Sequence, residues 1–99
     1  MAQMILAPAI TRWLAEHSGP APAGSEWRLA LSGATLADVL AALFECYPGL
    51  RGYVLDERGV LRHHVVLFID GRALPHSQDF GLALSEASEI YLAQALSGG

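Results

Sequence analysis

Between Glu26 and Ser32 the chain alternates, with Trp27, Leu29 and Leu31 on one side and Glu26, Arg28 and Ala30 on the other. Period two of this kind marks a strand with one face buried. The period then changes. Leu36, Val39, Leu40, Leu43 and Tyr47 recur at helical spacing and form one apolar stripe. Thr35 followed by Asp38 resembles a capping box, with Asp where Glu or Gln is usual, and Pro48-Gly49 closes the segment. The pattern predicts a helix from about Thr35 to Tyr47.

A mostly apolar run, His64-Val65-Val66-Leu67-Phe68-Ile69, is rich in β-branched and aromatic residues and predicts a strand. Asp70-Gly71 is a hairpin signal, and Arg72-Ala73-Leu74 predicts a short return strand before Pro75. Glu89 to Leu96 predicts a last strand, with Ile90, Leu92 and Leu96 on one face, Gln94 interrupting that row, and Tyr91, Ala93 and Ala95 opposite. Near the start, Met4 to Ala7 is a weakly signalled strand closed by Pro8, and residues 15–25 are dense in Gly, Pro, Ser and Ala and read as a loop. The first two strands would then form a hairpin with a long connection. Residues 50–62 are mixed, with a polar turn at Asp56-Glu57-Arg58-Gly59. This order gives an α+β domain in which one main helix packs on a mixed sheet of four to five strands. The last strand is expected to be central and parallel to the first.

Ninety-nine residues fit one domain. The chain is 53% hydrophobic and 16% charged, which leaves apolar surface for a partner. Its net charge of −4 argues against a nucleic-acid partner. No apolar run is long enough to cross a membrane, and the start lacks the pattern of a secretory signal. A single cysteine, Cys46, suits a reducing cytoplasm.

Catalytic chemistry is hard to find. His63 and His64 are adjacent, and neighbours on a strand point to opposite faces, so they do not readily share a metal ion. His17 falls in the expected loop and His76 near Pro75, and no metal-ligand spacing emerges. Cys46 has no neighbouring base pattern and is expected to pack. Glu45, Asp56, Glu57 and Asp79 are separate acids. Gly33, Gly59 and Gly71 fit turns, and no phosphate-binding glycine loop is present. Neither a metal nor a cofactor is expected. On the strand around Leu67, Val65, Leu67 and Ile69 share one face, while Val66 and Phe68 share the other. Two apolar faces on one strand, with a single helix to cover one of them, point to a partner-binding surface or to cover by the long loop.

The remaining feature is the ending, Ser97-Gly98-Gly99. Glycine has no Cβ and passes through a narrow channel, and its carboxylate, ionised at neutral pH, needs activation before it can react. From average composition a terminal Gly-Gly arises by chance in roughly 0.5% of chains.

Taken together, several stretches resemble the MoaD/ThiS family of ubiquitin-like sulfur carriers. They are Thr35-Leu36-Ala37-Asp38-Val39-Leu40, Tyr47-Pro48-Gly49-Leu50, Leu55 to Arg62, Val65 to Ile69, Asp70-Gly71 and Gly98-Gly99. The resemblance spans nearly the whole chain. Residues 50–62 look like the longer members, whose partners include enzymes that form cysteine and secondary metabolites. Ser85-Glu86-Ala87-Ser88-Glu89 departs from the acidic-Gly-Asp loop usual before the last strand, and residues 15–25 look longer than the family's first turn.

The resemblance implies a β-grasp domain over residues 1–95 and a flexible tail over 96–99. It implies that Gly99 is adenylated by a ubiquitin-activating-type enzyme and converted to a thiocarboxylate. The sulfur would pass to a biosynthetic enzyme, with Gly98 letting the tail thread a tight channel. The chain would be a cosubstrate, not an enzyme, docking through Phe68 and Val66. Its alternatives are the small subunit of a molybdopterin synthase and a ubiquitin-like modifier of lysines.

Overall fold

The computed structural model describes residues 1–17, 24–75 and 80–94. Eight elements follow one another: β1 (Ala2–Leu6), α1 (Pro8–His17), β2 (Trp27–Leu31), α2 (Leu36–Cys46), α3 (Pro48–Val54), β3 (Val65–Ile69), β4 (Arg72–Ala73) and β5 (Glu89–Gln94). The five strands form one sheet in the order β2-β1-β5-β3-β4. β5 is central and parallel to β1, while β1–β2, β3–β5 and β3–β4 are antiparallel. This is the mixed α+β sheet that the sequence predicts, with the last strand in the place expected for it.

Local chemistry explains the boundaries. Thr35 caps α2 by accepting the Asp38 N–H on its hydroxyl at 3.2 Å. The first turn is further held by the segment before β5, since Leu36 N–H donates to Leu82 O and Ala37 N–H to Phe80 O. Asp70 and Gly71 both have positive φ, 50° and 86°, the requirement of the tight turn that joins β3 to β4.

Two helices depart from the expected plan. Pro8 does not simply end the first strand. It opens α1, because a proline at the first helical position loses no needed hydrogen bond. The connection between β1 and β2 therefore carries a helix through residue 17, and His17 lies on that helix. Pro48 likewise closes α2 and opens α3. The main helix of the expected architecture is α2, and α1 and α3 bury side chains in the same core.

That core is continuous. Met4 and Leu6 of β1, Ile90 and Leu92 of β5, and Val65 and Leu67 of β3 meet Ile10 and Leu14 of α1, Leu36, Val39, Leu40 and Leu43 of α2, and Leu50 and Val54 of α3. Burial of this size supplies the main drive for folding. Val66, Phe68 and Ile5 lie outside this cluster, which fixes the other side of the sheet as the outer face.

Candidate functional site

Strand registers place the outer-face residues. Ile5 stands opposite Arg28 on β2 and Tyr91 on β5, Phe68 stands opposite Tyr91, and Val66 opposite Ala93. The two halves of this face differ. Arg28 Nη1 donates to Glu89 Oε2 at 3.2 Å, and the Tyr91 hydroxyl donates to Glu26 Oε2 at 3.0 Å. Both bridges run from the β2 side to β5 and so arch over β1, which lies between them. Ile5 beneath is only 6% exposed although it is outside the core cluster. Beyond β5 no such bridge crosses the sheet among the described residues. Val66, Phe68 and Ala93 form a half-buried apolar strip, with the Phe68 ring edge-on to Tyr91 at 6.3 Å.

The structure therefore brings the two sequence-predicted surface residues, Val66 and Phe68, onto one face, and it adds Tyr91 and Ala93. Their period-two spacing on the last strand was visible in the sequence. The pairing of Tyr91 with a glutamate 65 positions away was not. Partial burial, then the hydrogen bond to Glu26 and its charge, raises the Tyr91 hydroxyl above its ordinary pKa. Gly98 and Gly99 lie outside the described residues. The residue described last before them is Gln94, at the end of the central strand and paired with Val65.

Other sequence candidates do not converge. Cys46 is exposed, contrary to the expectation that it packs, because it falls at the last position of α2 and off the apolar stripe. His17 stacks on Trp13, and His64 meets Tyr53 edge-on, each at 4.8 Å. His76 and Asp79 lie outside the described residues. Among the described residues no group of three His, Cys, Asp or Glu is placed to hold a metal ion. No helix among them is long and apolar enough to cross a membrane.

The parallel pairing of β1 with β5, the capped helix across the sheet and the outer apolar strip define a ubiquitin-like β-grasp protein. No family model and no curated protein matches the sequence. Solved structures do. The small archaeal modifier protein SAMP1 of Methanosarcina acetivorans is 25% identical over 100% of this chain and 98% of its own, with TM-score 0.65. CysO of Mycobacterium tuberculosis is 20% identical over 94% and 99%, with TM-score 0.69. A chain of the Amycolatopsis orientalis BexX/CysO complex is 12% identical over 97% and 99%, also with TM-score 0.69. These neighbours are ubiquitin-like proteins of the sulfur-carrier and modifier type, consistent with the MoaD/ThiS-type β-grasp family.

Proposed function

We propose that this chain is a sulfur carrier whose reactive group is the carboxylate of Gly99. The observation that carries this reading is the position of β5: the strand leading to Ser97-Gly98-Gly99 is the central one, anchored on both sides by β1 and β3. A tail rooted there is presented from a rigid base, and a rigid base lowers the entropy lost when an enzyme takes up the tail. Five residues follow Gln94, and fully extended they reach at most about 18 Å, enough to thread a channel in a partner.

The chemistry follows from the inertness of a carboxylate. One oxygen of Gly99 attacks the α-phosphorus of ATP on an adenylating enzyme and displaces pyrophosphate. The acyl-adenylate carbon is now a good electrophile. Sulfide adds to it as the nucleophile and loses its proton, AMP leaves with the C–O bonding pair, and a thiocarboxylate remains. A biosynthetic enzyme takes that sulfur, and water restores the carboxylate. Gly98 keeps the approach free of a side chain. Phe68 and Val66 dock the partner, with Tyr91 at the edge of the same strip. The chain acts as a cosubstrate and works in the cytoplasm, where an exposed Cys46 stays reduced.

Intact-mass spectrometry tests this reading. After incubation with ATP, a sulfide source and the adenylating enzyme, the chain should gain the mass difference between sulfur and oxygen, localised to Gly99. Replacing Gly98 by Val should abolish the gain while leaving the fold intact. A wild-type chain that never acquires the shift sinks the proposal.

The similarity to a protein named as a modifier favours one further reading, attachment of Gly99 to lysines of other proteins. Peptides from cells carrying an isopeptide-linked Ser-Gly-Gly remnant would support it. The small subunit of a molybdopterin synthase remains the alternative within the carrier role, and co-purification with a large subunit would identify it.

A further inference from the structure

The two edges of the sheet are guarded differently. β4 pairs through two residues only, whereas β2 at the opposite edge is five residues long, the same length as β1 beside it. An open edge presents a row of unpaired N–H and C=O groups, a template for another chain. Proteins normally blunt such an edge by shortness, proline, a bulge or a free charge. β2 has none of these. Trp27-Arg28-Leu29-Ala30-Leu31 contains neither glycine nor proline, and its register against β1 runs through all five pairs without a bulge. Arg28, its one charged residue, is bridged to Glu89. Among the described residues, the backbone groups of β2 that face away from β1 meet no partner.

The side chains of β2 select what can pair there. A second copy, related by a two-fold axis perpendicular to the sheet, would add antiparallel and keep each face with its like. Opposed residues then share a face, so the axis passes through a single residue. An axis at Arg28 sets two arginines directly opposite each other, which is unfavourable. An axis at Leu29 pairs all five residues. Arg28 then meets Ala30 of the second copy, Trp27 meets Leu31, Leu29 meets itself, and Glu26 beyond the strand meets Ser32. Each copy carries a net charge of −4, so a seam that opposes no two acids matters. Trp27 and Leu29 are half-buried against the core and Leu31 is buried in it. In this register that row continues into the same row of the second copy, as aromatic–aliphatic and aliphatic cross-strand pairs.

We propose that β2 is a self-pairing edge, through which two copies of this chain join their five-stranded sheets into one, antiparallel about Leu29. The pairing does not depend on the carrier reading. β1 separates β2 from β5, so the tail roots and the Val66–Phe68 strips of both copies lie outside the seam. A seam of one strand pair is small, and the association is weak and reversible.

The test is sedimentation of the full chain from about 1 μM to about 1 mM, the span of weak affinities. The wild-type weight-average mass should climb from one chain toward two. Ala30→Glu sets a carboxylate opposite Arg28 of the other copy at both ends of the seam, and Ala30→Arg sets a second guanidinium there. Ala30 is exposed, and melting curves that overlay wild type exclude misfolding. With two such pairs per seam, the dissociation constant should fall about tenfold for Ala30→Glu and rise about tenfold for Ala30→Arg. Both effects should shrink as salt rises. Ala73→Arg, exposed on the opposite edge, should change nothing. Wild-type and Ala30→Glu chains that both stay monomeric at the highest concentration overturn the proposal, as does a dimer indifferent to either charge at residue 30. A monomer whose β2 amides gain hydrogen-exchange protection only when the adenylating enzyme is added would assign the edge to that enzyme and end the self-pairing.

Discussion

The Tyr91 hydroxyl, on the central strand, donates to the carboxylate of Glu26 at 3.0 Å and spans β1 to do so. That bond bridges the β2 side of the outer face, while Val66 and Phe68 on the β3 side are half-buried. Tyr91 also touches Phe68, so one residue marks the border between the bridged half of the face and the half-buried apolar strip.

Alkaline stability should reveal this environment. Burial first, then Glu26, raises the Tyr91 pKa, and burial is the leading cause of the rise at Tyr47 and Tyr53. A phenol whose folded pKa exceeds its unfolded value of about 10 binds its proton more tightly in the folded state. Its contribution is therefore complete below pH about 10 and is lost as pH climbs through the raised folded values. Urea midpoints should be level between pH 8 and 9.5 and fall above roughly pH 10. Tyr91→Phe should soften that fall and cost about 1 kcal/mol or less at neutral pH, since the bond is exposed. A fall no gentler in the variant would remove Tyr91 from the account.

Helix α1 is fastened by Thr11. This residue is fully buried, and its hydroxyl lies 2.8 Å from Ser25 O and 3.0 Å from Pro8 O. One hydroxyl proton serves these two acceptors, and the Ser25 contact ties α1 to the approach of β2. Thr11→Val keeps the shape and removes the donor, so it should cost about 1–3 kcal/mol. Hydrogen exchange should also quicken in α1 before the rest of the domain. Uniform loss of protection would mean that the helix has no separate fastening.

Gly33 is required by space. A Cβ there would lie 2.7 Å from Asp38 Cβ and 2.8 Å from Val39 N, against the first turn of α2. Backbone cannot yield cheaply at that distance, so Gly33→Ala should cost about 1–3 kcal/mol. Each kcal/mol should appear as roughly 4–8 °C in Tm for a domain of this size. Gly59→Ala is a useful contrast, because no atom lies within 4 Å of its added Cβ and the cost there comes only from φ of 78°.

What the sequence revealed depended on how much of each element its own residues determine. α2 was legible to within a residue, since its apolar stripe and Thr35 cap are local. The Asp70-Gly71 turn and the inward row of β5 were legible for the same reason. α1 was hidden by Pro8, which serves as well to start a helix as to end a strand. Its Ile10 and Leu14 gained meaning only once β5 stood behind them. α3 is seven residues long with Gly49 and Gly52 inside, too short for a period to show. The bridged half of the outer face was out of reach, because it joins Glu26 and Arg28 to residues more than sixty positions away.

Phe68 and Leu67 are neighbours on β3 and should separate docking from folding. Leu67 is fully buried in the core, and Phe68 is half-buried on the outer face and outside that core. Leu67→Ser removes packing and buries a hydroxyl without a partner, so it should cost about 2–5 kcal/mol and unfold much of the population. Phe68→Ser gives up its contact with Tyr91 and some area, about 1 kcal/mol, and should stay folded. Its effect should fall on the partner. Loss of a central aromatic from a docking strip commonly costs about 2 kcal/mol or more in binding, so the KM for modification of Gly99 should rise at least tenfold. A Phe68→Ser chain that is folded and modified with the wild-type KM would move the docking surface elsewhere on the domain.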